Sequence, residues 1–124
     1  MKYSEQTLYY FHHTLHAGQF NSSEGNIISV QAQSKTSSDQ IYFYLKIVNN
    51  SIQKINYQAS GSVALIACAE YLSTQLEQQS ISALKELNEK KIMQALLLNE
   101  RYKPTVLLVL QALNNISQLP SRDD

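Results

Sequence analysis

Residues 41–58, IYFYLKIVNNSIQKINYQ, decide the fold. The first eight are dense in β-branched and aromatic side chains, which suit the pleated, half-buried surface of a sheet. Asn49 and Asn50 tolerate the left-handed backbone that a tight hairpin requires, and 52–58 returns to alternation. Upstream, from Asn26, Ile28, Val30 and Ala32 alternate with Ser29, Gln31 and Gln33, the period of a strand with one buried face. Three adjacent strands, two of them joined by a short turn, predict an antiparallel meander.

On both sides of the strands the period changes to that of helices. In residues 3–16, Leu8, Phe11 and Leu15 recur at spacings of three and four, with Ser4 placed to cap the start and Gly18 beyond the end. After Ser60-Gly61 the chain reads as helical. Leu65, Ile66, Leu72 and Leu76 lie on or near one face of 62–78, and Ser80 caps a short helix containing Ile81, Leu84 and Leu87. A further helix runs from about Glu89 to Leu98. The last spans 104–117, with Pro104 in its first turn and a buried stripe of Val106, Leu107, Leu110 and Leu113. Only three Gly and two Pro in 124 residues agree with long regular elements. The expectation is an α+β fold: a three-stranded antiparallel sheet, an N-terminal helix and several C-terminal helices packed on one face. A single domain over 3–117 is expected, with 118–124 expected to form a flexible tail.

Ten basic and ten acidic side chains cancel, so the chain has no overall field to attract nucleic acid or an anionic membrane. No N-terminal apolar run follows a basic start, and no stretch is long enough to span a bilayer. The single cysteine, Cys68, has no internal partner for a disulfide. A cytoplasmic location is expected.

Few side chains suggest chemistry. On a continuous helix His12 and His16 would share a face, the spacing at which two imidazoles hold one metal, but no third ligand is legible beyond Asp39. A polar helix end with cations near its C-terminus is the preferred account of His12, His13 and His16, since two helical histidines alone are weak evidence of a metal. Cys68 lies among Ile66, Ala67 and Ala69, the setting of a buried, unreactive thiol. Ser62 follows a glycine at a strand-to-helix junction, without the second glycine and parallel sheet of a nucleophile elbow. No paired acid and base is present, so an enzyme is not expected.

Several local strings, in order, resemble the NifU/IscU family of iron–sulfur cluster scaffolds. They are Tyr3-Ser4-Glu5; Gly18 with Phe20; Ser37-Ser38-Asp39 before the strand to Val48; Gly61-Ser62 with Leu65-Ile66-Ala67; and Arg101-Tyr102-Lys103-Pro104-Thr105-Val106-Leu107. The resemblance covers about residues 3–116. It implies the same α+β sandwich and a place in cluster assembly. It also implies that the family's three cluster cysteines correspond to Ser37, Ser62 and Pro104, with Asp39 at the position of the family's aspartate and Lys103 where a His or Lys stands. A proline offers no ligand atom, and a serine hydroxyl is too basic to replace a thiolate towards a soft iron or zinc site. The Leu-Pro-Pro-Val-Lys segment by which many relatives engage a dedicated chaperone has no counterpart, since the region reads Leu97-Leu98-Asn99-Glu100-Arg101.

The resemblance therefore implies a pseudo-scaffold, a protein-binding or regulatory module with no cofactor of its own. Its partner would be a cysteine desulfurase or another assembly factor. An iron–sulfur cluster or zinc enters only if a site has been rebuilt, from Asp39, His12 and His16. The alternative is a small oligomerising or adaptor protein whose tyrosines (Tyr9, Tyr10, Tyr42, Tyr44) form a contact surface.

Overall fold

The hairpin that opens the sequence reading is also the centre of the molecule. In a computed structural model, which describes residues 3–19 and 27–117, β2 (Gln40–Val48) and β3 (Ser51–Ser60) pair antiparallel around Asn49-Asn50. Both asparagines have positive φ, 51° and 63°. That is the backbone of a type I′ turn, whose twist matches that of the flanking strands. A register shift between Lys46 and Ile47 bends the ribbon near this turn. β1 (Ile27–Gln33) pairs with the other side of β2, giving the order β1-β2-β3.

One face of the sheet is dry. Ile41, Phe43 and Leu45 of β2 and Ile52 and Ile55 of β3 are fully buried, with Val30 and Ala32 of β1 beside them. Each fully buried side chain of this size contributes roughly 1.5–3 kcal/mol. The opposite face carries Tyr42 and Tyr44, the latter donating to Gln58 at 2.6 Å.

The helices pack on the dry face. α1 (Glu5–His12) lies on α2 (Val63–Leu76); α2 covers β3, and α4 (Lys103–Ser117) covers β1 and part of β2. Between them run a 3₁₀ turn over Ile81–Glu86 capped by Ser80, α3 (Glu89–Leu96), and a second 3₁₀ turn over Glu100–Tyr102. The expected α+β architecture is present. Among the described residues no helix is long and apolar enough to cross a membrane. Phe20 and the tail 118–124 lie outside the described residues.

Three helix readings need correction. α1 ends at His12, so Leu15 is not on it and is 84% exposed. Its inward face carries Thr7, which is fully buried, rather than Leu8. Thr7 donates its hydroxyl to the Leu96 carbonyl at 2.8 Å, and Ser4 bonds the same carbonyl. A helix leaves its last carbonyls without partners, so α1 is oriented by satisfying the end of α3 rather than by its apolar periodicity. α3 itself stops at Leu96, because Leu97 turns left-handed with φ 48°. In α4 the buried stripe is Val106, Val109, Leu113 and Ile116, while Leu107 is 47% exposed. The unbroken apolar run there allowed more than one stripe, and contact with β1 selected this one.

Candidate functional site

The loop between β1 and β2 is built from its own hydroxyls. Ser34 Oγ accepts from the backbone N–H groups of Thr36 (3.1 Å) and Ser37 (3.0 Å), and Ser37 Oγ accepts from that of Asp39 at 3.2 Å. These bonds turn Asp39 inwards, to 9% exposure. Its carboxylate meets the start of α2: Oδ1 accepts from the Ser62 backbone N–H at 2.9 Å, and Oδ2 lies 3.5 Å from the Ser62 hydroxyl. Ser62 in turn caps α2 by accepting from the Leu65 N–H at 3.2 Å. An anion at a helix N-terminus is also favoured by the helix dipole.

Gly61 makes this approach possible. Its φ is +147°, and a Cβ there would stand 2.0 Å from Asp39 Oδ1. Glycine has no Cβ and adopts that backbone freely.

Ser37, Asp39 and Ser62 are thus brought together. Lys103 is exposed and pairs with Glu89 at 3.7 Å, and Pro104 is exposed in the first turn of α4. Tyr3 packs against Tyr102 with ring centroids 5.5 Å apart. Its hydroxyl is pushed above the ordinary tyrosine range by its bond to Tyr102 and by burial, and it feels the charges of both Arg101 and Asp39. Tyr3 and Tyr102 join Ser4, Leu97, Leu98 and Asn99 around a cleft of about 250 Å³. No spacing in the sequence pointed to this aromatic pair, because its members come from opposite ends of the chain.

The donor chemistry at this end does not fit an iron–sulfur cluster. It offers hydroxyls and one carboxylate already engaged with a backbone N–H, and no thiolate. Cys68 is no substitute. It is fully buried six residues into α2, and burial pushes its thiol up to about 12, leaving it protonated.

The proposed histidine face is also corrected. Since α1 ends at His12, the backbone at His13 (φ −122°, ψ 65°) carries His16 away from it. His16 instead lies between Glu70 (Nδ1–Oε2 2.6 Å) and Glu77 (Nε2–Oε1 3.1 Å). Glu70 is eight residues beyond Ser62, or about 12 Å along a helix. His12, His16 and Asp39 therefore do not converge, and no group of three or more metal-ligating side chains occurs among the described residues. The two carboxylates reach His16 from opposite ring nitrogens, so they share no common point for an ion.

The tyrosines proposed as a contact surface separate as well. Tyr9 and Tyr10 lie on α1, with Tyr10 edge-on to Tyr71 at 5.4 Å. Tyr42 and Tyr44 lie on the far face of the sheet.

Comparison with known proteins agrees with this architecture. The family described as the NifU-like N-terminal domain matches residues 2–122. A NifU-like protein (N-terminal) from Brucella abortus superposes with a TM-score of 0.73 at 13% identity, over 93% of this chain and 91% of that one. A protein described as an iron–sulfur cluster assembly scaffold for the SUF system, from Fervidobacterium islandicum AW-1, gives 0.73 at 14% identity, over 91% and 94%. A hypothetical protein of solved structure gives 0.68 at 18% identity, over 91% and 97%. No curated protein matches the sequence.

Proposed function

The chain belongs to the family of NifU-like N-terminal domains, and on that premise we propose that it keeps the scaffold fold as a protein-binding surface without holding a cluster itself. The observation that carries this reading is the use made of Asp39. The one family-type ligand left at the degenerate site accepts a backbone N–H from Ser62 and fixes the start of α2, beside Ser37 and Ser62 where thiolates would be needed. Such a protein is a binding module rather than an enzyme, with no resident cofactor. Its partner is a cysteine desulfurase or another assembly factor, for which it competes with a cluster-forming scaffold in the cytoplasm.

The test is anaerobic incubation of untagged protein with ferrous iron, cysteine and a cysteine desulfurase, followed by iron and acid-labile sulfide analysis. Trace amounts of both, together with co-purification of the desulfurase, are expected. Near-stoichiometric iron and sulfide, lost in Asp39→Ala, would overturn the reading.

A second reading, a self-associating or adaptor protein, draws on the apolar side chains that the N-terminal segment leaves in solvent: Leu8, Tyr9 and Leu15, at 36%, 55% and 84% exposure. Solution mass separates the two. A monomer at high concentration removes self-assembly as the role.

A further inference from the structure

A second polar centre lies away from the degenerate site. After α1 the chain runs along the outer edge of β3, where Ala17 forms an isolated parallel bridge with Tyr57. The Tyr57 N–H donates to the His16 carbonyl at 3.0 Å, and the Gly18 N–H donates to the Tyr57 carbonyl at 2.8 Å. Over this bridge sits Glu70 of α2, with 1% exposure. One carboxylate oxygen accepts from the Tyr57 hydroxyl and from the His16 backbone N–H, each at 3.0 Å; the other meets His16 Nδ1 at 2.6 Å. Glu77, seven residues or about two turns further on at the C-cap of α2, meets Nε2 at 3.1 Å, and its other oxygen lies 3.5 Å from the Ile55 N–H.

A carboxylate only accepts, so an imidazole with a carboxylate at each nitrogen satisfies both only when both nitrogens carry protons. Removing one proton sets a ring lone pair against a carboxylate lone pair, at the buried Glu70 or at the partly exposed Glu77. We propose that His16, clamped between Glu70 and Glu77, is a proton-dependent latch that holds residues 13–19 on the edge of β3. Loss of the ring proton releases this segment and uncovers the edge at Tyr57.

The groups facing the ring are Glu70 and Glu77 from α2 and, through Glu70, the Tyr57 hydroxyl from β3; within its own segment His13 turns away, to the Tyr9 carbonyl at 2.6 Å. Burial by itself would lower the affinity of His16 for its proton. The hydrogen bonds to Glu70 and Glu77 and their charges outweigh it and raise the pKa above the usual 6.5. The Tyr57 hydroxyl is itself held protonated by burial and by Glu70. A raised folded-state value means that the latch is closed below the unfolded histidine value of about 6.5 and opens as pH rises through the folded one.

Nuclear magnetic resonance on the full chain tests this, following the His16 ring signals and the amide exchange of Gly18 and Tyr57 from about pH 6 to pH 9, across the histidine range. After correction for base catalysis, protection of both amides should fall by about tenfold or more, in step with the ring titration, as expected for the loss of a charged hydrogen bond. The amide of Phe43 in the central strand should not follow. In His16→Gln, which has no ring to titrate, protection should become independent of pH. Should that variant not fold, Glu77→Gln, at the more exposed end of the clamp, should move the transition to lower pH. Flat protection of Gly18 and Tyr57 while His16 titrates would overturn the latch, as would a His16 midpoint at or below the unfolded value.

Discussion

Asp39 and Glu70 each bring a carboxylate to α2, and their partners make them behave differently. Asp39 reaches in from the β1–β2 loop and accepts from a backbone N–H and a serine hydroxyl, neither of which changes charge over the ordinary pH range. Glu70 reaches out from the helix and accepts from a tyrosine, a backbone N–H and an imidazole. The first arrangement is a fixed structural lock, although the resemblance implies a ligand there. The second contains an imidazole whose hold on its proton is strengthened by Glu70 and Glu77, although nothing in the family resemblance singles it out. What a buried carboxylate does is set by its donors, and burial alone does not distinguish the two.

The largest test of this contrast is Glu70→Ala. It strands the Tyr57 hydroxyl and the His16 ring in a site that is nearly dry, and it should cost about 3–5 kcal/mol of unfolding free energy in urea melts. A loss below about 1 kcal/mol, the size typical of an exposed pair, would remove Glu70 from the centre of that network. Gly61→Ala comes next. The added Cβ collides with Asp39 Oδ1 on a backbone that L-residues avoid, so a loss of about 2–3 kcal/mol is expected; the double variant Gly61→Ala/Asp39→Ala should relieve only the side-chain collision, leaving the backbone strain, so its loss should fall short of the sum of the two single losses. Asp39→Ala alone should cost about 1–2 kcal/mol, as the loss of a helix-start acceptor does. The wild-type contribution of His16 should fade as pH rises through its raised folded-state value. The smallest effect concerns Cys68, whose thiol should stay unmodified by iodoacetamide at neutral pH in the folded protein and react once denatured. Rapid alkylation without denaturant would return it to the list of possible ligands.

Local chemistry made much of the fold legible. The hairpin could be read because Asn49-Asn50 and the flanking strands carry their own instructions, and Ser4 and Ser80 each cap the helix or turn that follows. The face of α1 was not legible, because Thr7 is buried by a carbonyl 89 positions away in the chain. Helical continuity through His16 was a reasonable inference from spacing. It failed because Glu70, 54 positions away, and the edge of β3 offer His16 better partners than another helical turn would.

The candidate site was legible in part. Ordered resemblance picked out Ser37, Asp39 and Ser62, but not the bond that joins the last two, nor the Tyr3–Tyr102 pair beside them. Residue types and their periods determined the strands, the turn and the caps at Ser4 and Ser80, since each of these follows from the local backbone or from one side chain's chemistry. Only the tertiary structure decided which face of α1 and α4 is buried, that Asp39 serves a helix start, and that His16 stands between two carboxylates. Those outcomes depend on which distant donors and acceptors must be satisfied once water is excluded, and periodicity along the chain carries no record of them.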